Sequence, residues 1–304
     1  MESTIFDQFY NVKNLLYLGN YKDSLEEIES IEVDEDIQNI RKKFYCFLNY
    51  LESDKQEELN QLLKDLKDSN DSSKIYYNIF RIFIVFYIKN TVKEETLSKI
   101  YNDLISLENV SPFIQPAIYL ICLILLETDD KEKFIMLSGM VKDNCEILML
   151  RLVYFIRIGN INEAKKISEI INSKYNDFIG AQFSTYICSL YESSNISETV
   201  RIIQEVKSNS KLTPKLFNLI AVLMMQNKQF KEAIKPLSLG YDISMKMNLN
   251  SGDMNVILVN LITCYRNLDM EEECINTEEI LRKNDPNNIY FNKIKEFEEL
   301  FSSS

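Results

Sequence analysis

Residues 148–171 read LMLRLVYFIRIGNINEAKKISEII. Leu148, Leu150, Leu152, Phe155 and Ile156 recur at helical spacing, which predicts one amphipathic helix. Gly159 and Asn160 end it, because both tolerate the left-handed backbone that a helix terminus often needs. A second helix starts within two or three residues and is expected to bury Ala164, Ile167, Ile170 and Ile171. Ala164 matters most, because a side chain that small lets two helix backbones approach closely. Such a pair cannot cover its own apolar faces, so neighbours must stack on it.

The same signal recurs along the chain. Gly19-Asn20-Tyr21-Lys22-Asp23-Ser24 repeats the turn, with Ser24 in the place of Ala164. Turn signals at Glu52-Ser53-Asp54, Asn90-Thr91 and Thr128-Asp129-Asp130 put Glu58, Thr96 and Phe134 there. Ser193-Ser194-Asn195, Gln226-Asn227-Lys228 and Asn267-Leu268-Asp269 put Thr199, Ala233 and Glu273 there. The spacing scatters around the roughly 34 residues of a tetratricopeptide (TPR) unit, and Gly-Asn-x-x-Glu-Ala at 159–164 is the core of one. The expectation is an all-α, TPR-like solenoid of about eight helix pairs. It runs as a single array over 1–304, with Ile289–Phe301 after Asp285-Pro286 as a capping helix. Pairs between 35 and 134 rest on periodicity alone. Ser111-Pro112 and Thr213-Pro214 each place an N-cap hydroxyl before a proline at the first helical position. Pro236 falls inside a helix and is expected to kink it. Met245–Gly252 reads as a polar loop, and the Ser302–Ser304 tail as lacking fixed structure.

Composition fits this reading. Only 6 Gly and 5 Pro interrupt 304 residues, so few helix breakers are present. The length is large for one core but ordinary for a stacked array. A net charge of −12 argues against nucleic acid or anionic lipid as the main partner, since Lys and Arg would have to supply that attraction. Cys46, Cys122, Cys145, Cys188, Cys264 and Cys274 show no paired spacing and read as reduced core thiols of a cytosolic protein. MESTIFDQFY at the start has no basic region followed by an apolar run, so no signal peptide is read. Phe113–Leu126 is too short to span a bilayer and reads as a buried helix.

Catalytic chemistry has little to work with. The chain has no histidine, which removes the commonest general base and the commonest metal ligand together. No Walker-type loop, dinucleotide glycine pattern or Cys-x-x-Cys pair is present. Glu26-Glu27, Glu57-Glu58 and Glu94-Glu95 fall at starts of second helices, where carboxylates favour the positive dipole end and face solvent. No catalytic, cofactor or metal residue is assigned, and the chain is not read as an enzyme.

In TPR arrays the first helices line the concave side. Counting back from the turns, that lining comprises Tyr119, Leu123 and Leu126, then Met149, Val153 and Ile156. Ser184, Cys188 and Tyr191 follow, then Asn218, Val222 and Met225, then Leu258, Ile262 and Tyr265. The Lys and Asn clamp by which chaperone-binding TPRs hold a terminal carboxylate is missing. An apolar lining left wet usually marks a binding site. Either the pairs close up and bury these residues among themselves, or an apolar segment of another protein lies along them.

Phe9-Tyr10-Asn11-Val12-Lys13-Asn14, then Tyr17-Leu18-Gly19-Asn20-Tyr21, resembles the opening helix pair of the epsilon subunit of coatomer. Leu212-Thr213-Pro214-Lys215-Leu216, Gln229-Phe230-Lys231-Glu232-Ala233 and Val259-Asn260-Leu261-Ile262 are also similar to that family. Residues 35–134 carry almost none of the likeness. The resemblance implies a non-enzymatic coat subunit, a TPR array curled into a bracelet around the C-terminal region of the coatomer alpha subunit, stabilising it in Golgi–ER transport. Other coatomer subunits would be further partners. The protein would be cytoplasmic and peripheral on Golgi membrane and coated vesicles, touching membrane only through the coat. A generic TPR adaptor or co-chaperone for an apolar peptide is the alternative. An enzyme or RNA-processing factor on helical repeats is disfavoured by the missing histidine and the acidic balance.

Overall fold

Fifteen helices and no strand are present among the residues that the computed structural model describes. Those are 8–32, 36–53, 55–68, 79, 82–83, 85–86, 93–110, 114–191, 201, 204, 212–247 and 252–302. The helices are α1 (Tyr10–Leu18), α2 (Tyr21–Ser30), α3 (Asp36–Glu52), α4 (Gln56–Asp68) and α5 (Glu94–Ile105). Next come α6 (Gln115–Glu127), α7 (Lys131–Gly139), α8 (Cys145–Arg157), α9 (Ile161–Lys174) and α10 (Ile179–Leu190). The last five are α11 (Pro214–Gln226), α12 (Phe230–Lys246), α13 (Gly252–Asn267), α14 (Glu271–Asn284) and α15 (Ile289–Ser302). The chain is all-α and its helices alternate as a TPR-like repeat, as the turn spacing predicts.

Packing follows the repeat logic. Within a pair, α6 meets α7, α8 meets α9, α11 meets α12 and α13 meets α14. Between pairs, first helix meets first helix, as α6 with α8, α8 with α10 and α11 with α13, while α9 and α12 also pack on the next first helix. Backbone packing divides the chain into two compact units. Unit one is Met1–Tyr17, Lys22–Leu51 and Lys55–Ser194; unit two is Leu18–Tyr21, Glu52–Asp54 and Asn195–Ser304.

One turn chemistry recurs. Gly159 adopts φ 75°. Its N–H donates to the Ile156 carbonyl at 2.9 Å, and the Asn160 N–H to the Phe155 carbonyl at 2.8 Å. This pairing satisfies carbonyls that a helix end would otherwise leave unpaired. Asp129 (φ 56°), Lys228 (φ 60°) and Asp269 (φ 54°) do the same. They hold a left-handed conformation that costs a non-glycine residue about 1–2 kcal/mol. These three carry no glycine to announce them in the sequence.

That regularity corrects the register of three pairs. The Ala164 N–H donates to the Asn160 carbonyl at the start of its helix. The equivalent bonds elsewhere are made by Leu59, Leu97, Phe134, Ala233 and Cys274. The inner residues of those pairs are therefore Leu59, Leu97 and Cys274, all buried. Glu58 and Glu273 are exposed and Thr96 is half-buried, one position off. Ser24, Phe134, Ala164 and Ala233 are buried as expected; Thr199 lies outside the described residues.

Other expectations shift locally. Ile170 is exposed, and Ser168 is buried in its stead. Ser168 bonds Ser184 at 2.9 Å, and the Asn172 amide donates to the Ser168 carbonyl and the Thr185 hydroxyl. A polar network thus replaces one apolar contact between α9 and α10. The Thr213 N-cap accepts from the Leu216 N–H with Pro214 at the first helical position, as expected; Ser111-Pro112 lies outside the described residues. Helix α12 continues through Pro236, which is buried. Of the predicted loop Met245–Gly252, Met245 and Lys246 are helical and Gly252 begins α13, while 248–251 lie outside the described residues. Glu26 and Glu27 lie beyond the first turn of α2, whereas the other two acidic pairs begin α4 and α5. Helix α15 includes Ser302; the tail beyond it lies outside the described residues.

Candidate partner-binding surface

The first-helix positions separate into exposed, half-buried and core residues. In unit one, Val153 on α8 is 46% exposed. Leu123 at the same register on α6 is half-buried, as are Tyr119 and Leu126. In unit two, Val222 and Met225 on α11 are half-buried. Asn218 accepts from the Asn260 amide at 2.7 Å, joining α11 to α13. Met149 and Ile156 are buried, as are Leu258 and Ile262. These four are core and not lining. For Ile262 the slipped register accounts for this: with Cys274 as the inner residue, Thr263 takes the place of Val153 and Ile262 that of the buried Leu152. Tyr265 packs against the core of unit two. Ser184 and Cys188 are buried. Tyr191 is exposed but is the C-cap residue of α10, beyond its last turn.

The N-terminal run Phe9–Tyr21 is tied to residues far along the chain within each unit. Within unit one, Phe9 is fully buried and stacks on Tyr45, ring centroids 5.1 Å apart. Asn14 Oδ1 accepts from the Ile179 N–H at 2.8 Å, capping the start of α10. Tyr17 meets the Phe178 ring edge-on at 4.9 Å. Within unit two, the Thr213 hydroxyl donates to the Leu18 carbonyl. The Tyr21 hydroxyl donates to Asp253 Oδ2 at 2.7 Å. Burial, with Asp253 and Glu52 alongside, pushes that hydroxyl far above the usual phenol range. Gly19 adopts φ 77°, and a Cβ there would stand 3.1 Å from Lys215 Cβ. Local sequence offers no signal for Tyr45, Phe178, Thr213 or Asp253 as partners of this run.

A cavity of about 520 Å³ lies in unit one beside α1, lined from α1, α3, α6 and the start of α8. Lys13 and Glu146 meet in its wall at 3.1 Å, with side chains 14% and 6% exposed. The Tyr45 hydroxyl donates to the same Glu146 oxygen, Oε1, at 2.6 Å. Glu146 Oε2 is buried without a hydrogen-bond partner. Burial drives the Glu146 carboxyl upward, but the Lys13 ammonium and the Tyr45 hydroxyl outweigh it and hold the group below the ordinary glutamate range. Asp143 sits at the rim, accepting from Lys174 Nζ and the Tyr175 hydroxyl at 3.1 Å each. Aromatic rings supply much of the wall: Arg41 lies 4.9 Å over Phe9, and Phe44 meets Tyr119 edge-on at 5.5 Å.

The cysteines carry no disulfide; five are buried and Cys46 is half-buried. Burial pushes the Cys46 and Cys264 thiols up to about 11, so both stay protonated and weakly nucleophilic at neutral pH. Among the described residues no group of three or more His, Cys, Asp or Glu side chains could hold a metal ion. Among the same residues no helix is long and apolar enough to cross a membrane.

An all-α repeat whose opening run is bound into later helices is the arrangement against which the comparisons stand. No curated protein matches the chain by sequence. The family model of the coatomer epsilon subunit matches residues 5–303. Nearly the whole chain is covered, including residues 35–134 that show little local likeness, and the chain therefore belongs to the coatomer epsilon subunit family, with the role of a vesicle-coat subunit in transport.

Proposed function

We propose that this coat subunit binds the C-terminal region of the coatomer alpha subunit and stabilises it. It acts by binding and not by catalysis, in the cytoplasm and on Golgi membrane through the coat. The family match over 5–303 carries the reading. The half-open apolar positions of the first helices support it. Val153, Leu123 and Val222 are apolar side chains that their own units leave partly uncovered. A residue of this kind gains most when a partner desolvates it. Co-expression with the alpha C-terminal region followed by titration calorimetry tests the assignment. Val153→Asp and Val222→Asp should each weaken capture at least tenfold with the helical spectrum unchanged, because each places a charge in a contact that must lose water. Unchanged affinity in both variants would refute the assignment of this face, and no binding by the wild-type chain would refute the partner.

A further inference from the structure

We propose that the outward face of α15 is a self-association surface, on which a second copy of this chain docks its own α15 antiparallel to the first. The inference goes beyond the proposed function and takes nothing from the alpha subunit. Helix α15 is held to the rest of unit two at its start. Tyr290 and Phe291 pack against a core cluster of that unit, the Tyr290 hydroxyl donates to Glu278 Oε1 at 2.6 Å, and Arg282 lies 4.0 Å over the Phe291 ring. Ile294 is half-buried, and every residue from 295 to 300 is exposed. Ile289, Phe297 and Leu300 are each at least 60% exposed. At 3.6 residues per turn, Ile289, Lys293, Glu296 and Leu300 form one stripe with Phe297 beside it.

The order along that stripe names the occupant. From either end it runs apolar, charged, charged, apolar at matching intervals. Turning a second copy end for end sets Ile289 against the copy's Leu300 and Lys293 against its Glu296. The same contacts then recur in reverse, as a two-fold axis requires. A parallel copy would set Lys293 against Lys293. Lys293 Nζ already meets Glu296 Oε2 of its own helix at 2.7 Å, but both side chains are well exposed, and an ammonium and a carboxylate each have bonding sites to spare. The two copies therefore close a ring of four alternating charges flanked by apolar contacts. Two Lys and three Glu give residues 289–302 a net charge of −1 in a chain of −12, so copies repel one another least here. Ile289 to Leu300 spans about 16 Å, too little for a permanent dimer. The pairing is weak between free chains and gains where copies are held side by side, as a coat holds them.

Sedimentation velocity of the full chain from about 10 µM to about 500 µM tests this, with an expected reversible dimer of Kd on the order of 100 µM. Lys293→Glu and Glu296→Lys should each weaken it at least tenfold, since each sets like charges across the axis. Mixed in equal amounts, the two variants should dimerise with each other, because every acidic side chain of one then meets a lysine of the other. Leu300→Ser, at an exposed site, should weaken the dimer at least tenfold with the helical spectrum unchanged. A wild-type chain that stays monomeric across the range, or a dimer that the charge reversals leave intact, would overturn the proposal. Capture of the alpha C-terminal region by the wild type and by Leu300→Ser is measured alongside. If Leu300→Ser loses that capture and the wild type forms no dimer, the face belongs to the alpha subunit and the proposal fails. A dimer broken by the reversals and by Leu300→Ser, with capture unchanged, bears it out.

Discussion

Replacing Lys13 by methionine isolates the buried ion pair of unit one that it forms with Glu146. The side chain keeps its length and apolar stem, so what disappears is the ammonium 3.1 Å from Glu146. Glu146 is left with the Tyr45 hydroxyl on Oε1 and nothing on Oε2. Breaking a buried ion pair by removing one partner costs about 3–5 kcal/mol, because the remaining charge stays desolvated. The pH dependence then reverses sign. In the wild type the folded Glu146 carboxyl lies below its unfolded value. Its stabilisation is present above about pH 4.3 and is lost as pH falls through the folded value. Without the Lys13 charge, burial is opposed only by the Tyr45 hydroxyl and the residue's own backbone N–H, and as the largest of these effects it raises the folded value above the unfolded one. The penalty is then largest at about pH 7 and is relieved as pH falls through the raised value, since the neutral acid is easier to bury. Urea unfolding of both chains at about pH 7 and about pH 5 reads this directly. The deficit of Lys13→Met should shrink at the lower pH. The pair Lys13→Met with Glu146→Leu should recover most of the loss, because the uncompensated charge is gone. A single-variant deficit below about 1 kcal/mol, or one that does not change with pH, would refute the buried-pair reasoning.

Ala164→Leu forces extra volume into a fully buried site between α8 and α9 and should cost about 1–3 kcal/mol in urea unfolding. Gly159→Ala should cost about 1 kcal/mol through backbone strain alone, since no atom lies within 4 Å of the new Cβ. Lys228→Gly, at φ 60°, should move the melting temperature the other way, by less than about 1 kcal/mol equivalent. An unchanged or lower melting point would show that Lys228 is not strained.

How the chain reveals itself follows from the range of the forces involved. Helix, turn and pairing are local, and residues 148–171 display them because Gly159 is a visible breaker and Ala164 a visible close contact. Among the described residues, the period then places the starts of the second helices to within a residue. It slips at Leu59, Leu97 and Cys274, where a one-residue change turns the helix face by about 100°. That slip is why Ile262 is predicted as lining and found in the core. At Cys274 the turn takes its left-handed residue from Asp269, while Asp129 and Lys228 do the same in pairs that the period places correctly. No composition rule marks these, since neighbouring helices hold the strain in place.

Sequence alone, through breaker residues and helical periodicity, determined the all-α repeat, and the run Phe9–Tyr21 pointed to the family. Why that run has those residues is decided only in three dimensions. Lys13 meets Glu146, Asn14 caps Ile179 and Tyr21 reaches Asp253. Such partners are set by how helix pairs stack, and stacking is the sum of many small apolar contacts that no local window contains. The unpaired oxygen of Glu146 is equally a tertiary fact: burial and a missing donor exist only once α1, α3 and α8 have come together.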